Sequence, residues 1–142
     1  MVKTNELMLG NQLTIGKGSD WEENVAIDEI FVNSVGLKGR EFTTYITTLE
    51  PIPISEELLI KNGFNKNVLI EGTDFIDDFI EYEKCIDGFF ISFRQTSNTI
   101  DRDWYVHIDN CNRSTCCGCD VQYIHQVQNI ANILGFSIEF EL

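Results

Sequence analysis

Apolar and polar residues alternate in several short runs along the chain, and this period of two predicts β-strands. Three runs in the second half of the chain each place apolar side chains on one face. The apolar residues are Ile80, Tyr82 and Ile86 in the first run, Phe89, Ile91 and Phe93 in the second, and Trp104, Val106 and Ile108 in the third. The alternation puts Tyr105 and His107 on the face opposite Trp104, with Arg94 expected across the hairpin from them. The three runs together predict an antiparallel meander.

The first 50 residues contain short extended runs separated by glycines, which is typical of a small barrel or a curled sheet. The predicted strands cover residues 12–15, 25–32 and 42–49, and residues 35–39 are predicted to form a turn. Thr, Tyr and Ile, which favour strands, are frequent in the last of these runs.

Helical signals begin at Ser55, a good N-cap residue followed by two acids that suit the first turn of a helix. Gly63 is predicted to end this short helix in the left-handed conformation. A longer helix is predicted over residues 121–134, capped by Asp120, because apolar residues recur there at helical spacing. Residues 137–142 alternate again and are compatible with a final strand.

These elements predict the α+β class. We expect a β-rich N-terminal half (small barrel or curled sheet), a short helix, and an antiparallel meander covered by a C-terminal helix. The length of 142 residues fits a single α+β domain, 1–142. With 43% apolar residues, the chain has enough material for a core, which excludes wholesale disorder.

The formal net charge of -13 comes from 23 acidic residues against ten basic ones, and it argues against general nucleic-acid binding. An acidic surface suits solubility, a basic protein partner, or imitation of a nucleic acid. No apolar run approaches the roughly 20 residues of a membrane span, and no signal-peptide pattern is present. We therefore expect a cytoplasmic protein, without membrane binding, whose five cysteines are reduced.

Four thiols within nine residues form the densest chemical signal, at Cys111, Cys116, Cys117 and Cys119. Four thiolates can bind zinc, but structural zinc sites usually use two separated cysteine pairs, whereas these four share one predicted loop. A mixed site that adds His107 or His125 is an alternative. The remaining alternative is a loop of small, weakly polar residues without a cofactor.

Motifs for catalysis are absent: the chain has no phosphate-binding loop, no Gly-x-Ser-x-Gly and no His-Glu-x-x-His. A catalytic base needs a reacting group within hydrogen-bond reach, and the sequence places none beside either histidine. The acidic stretch from Asp74 to Glu83, which includes Glu81, is interpreted as a solvated face. We therefore expect a protein that is not an enzyme.

Three stretches carry a family resemblance. The first is Asn-Glu-Leu-Met-Leu-Gly-Asn at 5–11, and the third is Tyr-Ile-His-Gln-Val-Gln-Asn-Ile at 123–130. The second, at 49–64, contains Pro-Ile-Pro-Ile-Ser-Glu-Glu at the start of the predicted short helix and ends with Asn-Gly-Phe. They resemble motifs of small proteins carried by phages and prophages of gut bacteria. The resemblance brings no catalytic residues and does not include the cysteine cluster. It adds weight to His125, Gln126, Gln128 and Asn129.

The resemblance implies that the chain is phage-borne, and the leading hypothesis is then an accessory protein that counters bacterial antiviral defence by sequestering a nucleotide-type immune signal. Aromatic side chains could stack a base, and basic residues could contact phosphate. The predicted ligand-binding residues are Trp104, Tyr105, His107, Arg94, Arg102, Arg113, His125 and Gln128. Lys38 and Arg40 are further basic candidates, and a homo-oligomer would bring several such residues together.

Three alternatives remain open. The chain could be an acidic, protein-binding inhibitor that imitates nucleic acid and targets a host defence protein. It could also be a structural module with no ligand. A nuclease or messenger-cleaving hydrolase would need a metal or histidine site that the sequence does not assemble.

Overall fold

The computed structural model describes residues 7–16, 23–30, 34–41, 43–45, 48–69, 79–96, 104–110 and 113–142, without the side chains of 68–69, 96 and 113–117. These residues form two five-stranded antiparallel sheets and two helices, which confirms the predicted α+β class. The chain divides into two compact units. The first comprises residues 1–53, 123–140 and 142, and the second comprises 54–122 and 141.

The first unit contains strands β1 (Gln12–Ile15), β2 (Glu23–Ile30), β3 (Ser34–Leu37), β4 (Thr43–Tyr45) and β5 (Leu49–Pro51). They pair in the order β4-β3-β2-β1-β5, so the described strands form an open sheet with β4 and β5 at its two edges. The single strand predicted over 42–49 is therefore two strands that lie at opposite edges.

The turn predicted over residues 35–39 is wrong, because most of that stretch belongs to β3. Val35 and Leu37 are buried in the core of the first unit, and only Lys38 and Gly39 form the turn. Burial of such side chains contributes about 1.5–3 kcal/mol each, which outweighs the turn preference of the neighbouring glycines. The core also contains Leu7, Leu13, Ile15, Val25, Ile27 and Leu49.

The second unit begins with the helix α1 (Glu56–Lys61), whose predicted cap is confirmed: the Leu58 amide donates to Ser55 Oγ at 3.2 Å. Gly63 has a φ of +75° and turns the chain at the end of this helix, as predicted. Phe64 follows and packs edge-on against Phe93, with 5.3 Å between the ring centroids.

Five consecutive strands build the second sheet: β6 (Asn65–Leu69), β7 (Phe79–Ile86), β8 (Phe89–Thr96), β9 (Trp104–Asn110) and β10 (Arg113–Val121). Each pairs with its neighbour in sequence, so the predicted meander is confirmed, and β6 and β10 extend it at both edges. The two-residue turn Asp87-Gly88, with φ values of 50° and 81°, joins β7 to β8. Positive φ at both positions matches the twist that tight hairpins require.

The helix α2 (Ile124–Leu134) starts later than predicted, with Tyr123 rather than Asp120 at its N-cap, because residues up to Val121 extend β10. The sequence predicts that this helix covers the meander. In the structure it belongs instead to the first unit, together with the first sheet. Ile124, Val127 and Ala131 form its buried stripe. Gly135, with a φ of +90°, ends the helix as predicted.

Candidate functional site

The strand register of the second sheet brings several polar side chains onto one face. Arg94 of β8 lies directly opposite Tyr105 of β9, and Ser92 lies opposite His107. Opposite residues in an antiparallel pair share a face, with Cβ atoms about 4.5–5.5 Å apart. Extending the same rows to β7 and β10, and adding Asp109, which follows His107 on the same side of β9, defines what we call the polar face. It comprises Glu81, Glu83, Ser92, Arg94, Tyr105, His107, Asp109, Gly118 and Asp120.

Arg94 is held in place on this face. Its Nε–H donates to Glu81 Oε1 at 2.7 Å, and its guanidinium carbon lies 5.6 Å from the centroid of the Phe79 ring. Glu81 is only 6% exposed, so the interpretation of this residue as part of a solvated acidic face is wrong. Because the ion pair uses Nε, the terminal amino groups of the guanidinium carry four further N–H donors that a ligand can use.

Tyr105 contributes a large aromatic ring to the polar face and is 42% exposed. Its ring lies over the backbone of β10 at Gly118, where any added Cβ would come within 2.8 Å of the tyrosine Cζ and even closer to its hydroxyl oxygen. The absence of a side chain at Gly118 therefore leaves room for the hydroxyl end of the ring. Asp120, directly opposite Tyr105 in register, is exposed at the side of the ring.

Ser92 and His107 form the row next to Arg94 and Tyr105. Ser92 is fully buried, and its Oγ has no hydrogen-bond partner among the residues that the structure describes. His107 Nδ1 lies 3.5 Å from Asp109 Oδ2, and both side chains are partly exposed. Although these residue types can form a nucleophilic triad, a serine nucleophile needs a histidine within hydrogen-bond reach and access to substrate, which Ser92 lacks here.

Trp104 lies on the other face of the second sheet, in the core. It is 4% exposed, its Nε1–H donates to the Ile54 carbonyl at 3.1 Å, and its ring meets Tyr82 edge-on at 5.5 Å. Stacking of a base on this indole would require the core to open. The structure thus separates Trp104 from Tyr105, Arg94 and His107.

His125 and Gln128, two further predicted ligand-binding residues, lie in the first unit on α2 and are buried at 1% and 3% exposure. His125 stacks on Tyr123, with 5.8 Å between the ring centroids and an interplanar angle of 13°. Gln128 accepts a hydrogen bond from the Gln12 amide at 2.9 Å and donates to the Ile138 carbonyl at 3.1 Å. These contacts give Gln128 a structural role.

The two outer motifs of the family resemblance meet through their side chains. Asn11 Nδ2 donates to Asn129 Oδ1 at 2.9 Å, and Asn11 Oδ1 accepts from the Met8 amide at 2.8 Å. Gln126 Oε1 accepts from the Tyr123 amide at 3.1 Å and so caps the start of α2. The motif residues thus hold the first unit together, whereas the polar face lies outside the motifs.

The cysteine cluster occupies a strand rather than the predicted loop. Cys116, Cys117 and Cys119 belong to β10, which shows a register irregularity between Arg113 and Cys117. Cys119 is half-buried and lies inside this strand.

The remaining predicted site residues lie wholly or partly outside the described part of the chain. Arg102 and Cys111 fall outside it, and the side chains of Arg113, Cys116 and Cys117 are not described. Within the described residues, no group of three or more His, Cys, Asp or Glu could hold a metal ion. Zinc binding by the four cysteines therefore stays a prediction.

Among the contributors to the polar face that sequence reasoning missed are Ser92, Glu81 and Gly118. The alternation within β8 placed Ser92 beside Arg94, but burial of its hydroxyl depends on the neighbouring strands. The sequence carried no signal that the Tyr105 ring would reach over Gly118, which is paired with His107, because β10 was predicted as a loop.

Comparison of the chain with protein-family models found no match, and neither the search of curated proteins nor that of solved structures found a similar protein. Among the helices of the described residues, neither is long and apolar enough to cross a membrane.

Proposed function

We propose that this chain is a phage-encoded accessory protein that acts in the host-cell cytosol and counters antiviral defence without catalysis, by binding and sequestering a nucleotide-type immune signal on the polar face. The observation that carries the proposal is the meeting of three predicted ligand-binding residues, Arg94, Tyr105 and His107, on adjacent strands. The phage origin is supported by the sequence resemblance.

In this proposal the Tyr105 ring is the platform for a base. The ring is partly exposed and its hydroxyl end lies over Gly118, so part of the ring is accessible to a base. Stacking of a base on an aromatic side chain contributes about 1–3 kcal/mol and tolerates different bases. Arg94 lies opposite Tyr105 on β8, and His107 lies two residues further along β9. Both side chains supply hydrogen bonds to a base edge or to a phosphate.

The charges of the polar face decide which part of the ligand it holds. Glu81, Glu83, Asp109 and Asp120 face one guanidinium and one imidazole, and Glu81 already neutralises Arg94. Such a face favours the base, whose amino groups donate to carboxylates, over a multiply charged phosphate. Phosphates of the same ligand would then be held by basic residues of another copy, which is the reason to propose a homo-oligomer.

The charge of the chain also favours a second candidate, an acidic inhibitor that imitates nucleic acid and binds a host defence protein. Its net charge is -13, and exposed acids such as Asp28, Glu29, Glu57 and Glu139 occur in both units. A basic partner would be attracted by this surface as it is to phosphates.

The test is native mass spectrometry and calorimetry of the purified protein with a panel of cyclic and ADP-ribose-type nucleotides. We expect whole-number nucleotide uptake by the unmodified protein, and a loss of affinity of about tenfold or more in Tyr105→Ala, consistent with the stacking energy. Tyr45→Ala is the matched control, because Tyr45 is an exposed strand tyrosine of the first unit.

Two results would overturn the proposal: no nucleotide of the panel binds the unmodified protein, or Tyr45→Ala weakens binding as much as Tyr105→Ala. A phage-protection assay in hosts with a signalling defence provides the biological readout. Salt-sensitive recovery of a defence protein from host lysate, without nucleotide binding, would instead support the acidic inhibitor.

A further inference from the structure

Residues 136–142, which we call the closing segment, follow α2 and are held in an unusual way. Phe136, Ile138 and Phe140 are buried and alternate with exposed residues, as in a strand that is covered on one face. The final strand predicted here is nevertheless wrong, because the structure assigns neither helix nor strand after Gly135. The Phe136 amide still donates to the Ala131 carbonyl of α2 at 3.1 Å, but main-chain groups of Ile138, Phe140 and Glu141 bond to side-chain carboxamides.

Within the first unit, the carboxamide of Gln12 holds Phe140 by two hydrogen bonds. Gln12 Nε2 donates to the Phe140 carbonyl at 2.7 Å, and Gln12 Oε1 accepts from the Phe140 amide at 2.8 Å. Gln128 Nε2 donates both to Gln12 Oε1 at 2.9 Å and to the Ile138 carbonyl at 3.1 Å. Two glutamines, one from β1 and one from α2, thus replace a pairing strand.

Within the second unit, Asn62 holds Glu141 in the same two-bond manner. Asn62 Nδ2 donates to the Glu141 carbonyl at 3.0 Å, and Asn62 Oδ1 accepts from the Glu141 amide at 2.7 Å. Both clamps contact main-chain atoms. The segment is therefore held like an extended peptide with alternate apolar side chains, except that side-chain carboxamides replace the main chain of a sheet edge.

In the first unit, Phe136, Ile138 and Phe140 thus occupy buried positions beside Gln12, and we call these positions the groove. A single hinge, Gly135, leads into it, and the φ of +90° at this glycine turns the chain back after α2. A hinge with negative φ would send the closing segment away from its own groove. The emptied groove would then offer buried apolar positions and the Gln12 carboxamide to another peptide of the same pattern.

We propose that the occupant is the closing segment of a second copy, so that two copies exchange residues 136–142 and form a dimer. A foreign peptide has to displace a tethered segment whose effective concentration is in the mM range. A second copy faces no such disadvantage, because two exchanged segments restore the same contacts that two monomers have. The balance then depends on the hinge and on protein concentration.

Gly135→Ala tests the hinge, because alanine is strained at positive φ in the closed form and is relieved in an extended hinge. Each dimer relieves two hinges, so we expect the association constant, measured by sedimentation after refolding at several concentrations, to rise at least tenfold. Gly39→Ala is the matched control: Gly39 has a φ of +78° and open space around it, but it lies in the turn after β3. It should leave the association constant unchanged.

Isotope-filtered NMR on a mixture of labelled and unlabelled chains, refolded together, identifies the contact itself. We expect the Gln12 side-chain amide of one copy to lie within reach of the Phe140 amide of the other. Should Gly135→Ala not fold, the unmodified protein refolded at mM concentration provides the same readout. A protein that stays monomeric in both forms, or a dimer in which every Gln12–Phe140 contact lies within one copy, would overturn the proposal. Neither result bears on nucleotide binding.

Discussion

Polar side chains in the two units are used in different ways. In the first unit, Asn11, Gln12, Gln128 and Asn129 direct their carboxamides at one another and at the backbone. In the second unit, the polar face holds a fully buried hydroxyl beside a partly exposed arginine, tyrosine and histidine. Groups whose hydrogen-bonding capacity is used within the fold stabilise it, whereas groups with remaining capacity at the surface can bind a ligand.

The largest effect that sharpens this comparison is expected from Gln128→Ala. The substitution removes the partners of the Gln12 amide and the Ile138 carbonyl inside a buried network. Each unsatisfied buried group costs about 1–3 kcal/mol, so we expect the free energy of unfolding to fall by about 3 kcal/mol.

Urea denaturation followed by circular dichroism measures this loss, with Asn132→Ala as the control, because Asn132 is an exposed carboxamide of the same helix. The control should stay within about 0.5 kcal/mol of the unmodified protein. Equal stability of the two variants would contradict the structural role of Gln128.

A smaller loss of stability is expected from Arg94→Met on the polar face. Glu81 is buried, and the substitution removes the guanidinium that now pairs with its carboxylate. Removal of one partner of a fully buried pair costs about 3–5 kcal/mol, but Arg94 is 39% exposed, so we expect about 1–2 kcal/mol. Adding Glu81→Gln should recover part of this loss in a double-mutant cycle, and additive losses would argue against the pairing.

A still smaller change in stability, about 1 kcal/mol, is expected from Gly118→Ala, because the new Cβ displaces the Tyr105 ring while the strand persists. Ligand affinity should fall much more than stability if the ring is the stacking platform. The double variant Gly118→Ala/Tyr105→Ala removes the clash. Its loss of unfolding free energy should therefore be smaller than the sum of the losses of the two single variants. Simple additivity in chemical denaturation would show that the ring does not lie over Gly118.

The smallest effect concerns the exposed pair of Glu56 and Lys66, whose charged atoms are 2.5 Å apart. The hydrogen bond from Lys66 lowers the pKa of Glu56 from its ordinary value of 4.5. Because the pKa in the folded state is the lower one, this contribution is fully present above about pH 4.5 and is lost as the pH falls through the folded-state value. Glu56→Gln should therefore reduce stability slightly at pH 7 and not at about pH 2. A difference that grows as the pH falls would contradict the shift.

Much of the second sheet was predictable because its strands are neighbours in sequence. Alternation within β7, β8 and β9 set the inner and outer faces, and the two-residue Asp87-Gly88 turn set the pairing of β7 with β8. Arg94 and Tyr105 were thus expected across the hairpin, and the register confirms it. The strand β10 was missed, because its thiols and glycine give it neither alternation nor high strand preference.

The first unit was less predictable because its contacts are distant in sequence. Gln12 lies 128 positions from Phe140 and 116 positions from Gln128, yet the three groups form one network. No local sequence pattern predicts that a glutamine side chain will make the backbone hydrogen bonds that a neighbouring strand would otherwise make. The alternation at 136–140 was a true signal of one-sided burial, and the strand prediction failed only on the identity of the hydrogen-bond partner.

By itself, the sequence determined the α+β class, the meander, the capped short helix and the two faces of β7, β8 and β9, because these follow from local periodicity and turn chemistry. Only the tertiary structure decided the use of each polar residue. It placed Trp104 in the core, buried Glu81 against Arg94, and engaged Gln128 with the backbone. The physical reason is that partners distant in sequence determine whether a polar group is buried and bonded or remains exposed to a ligand.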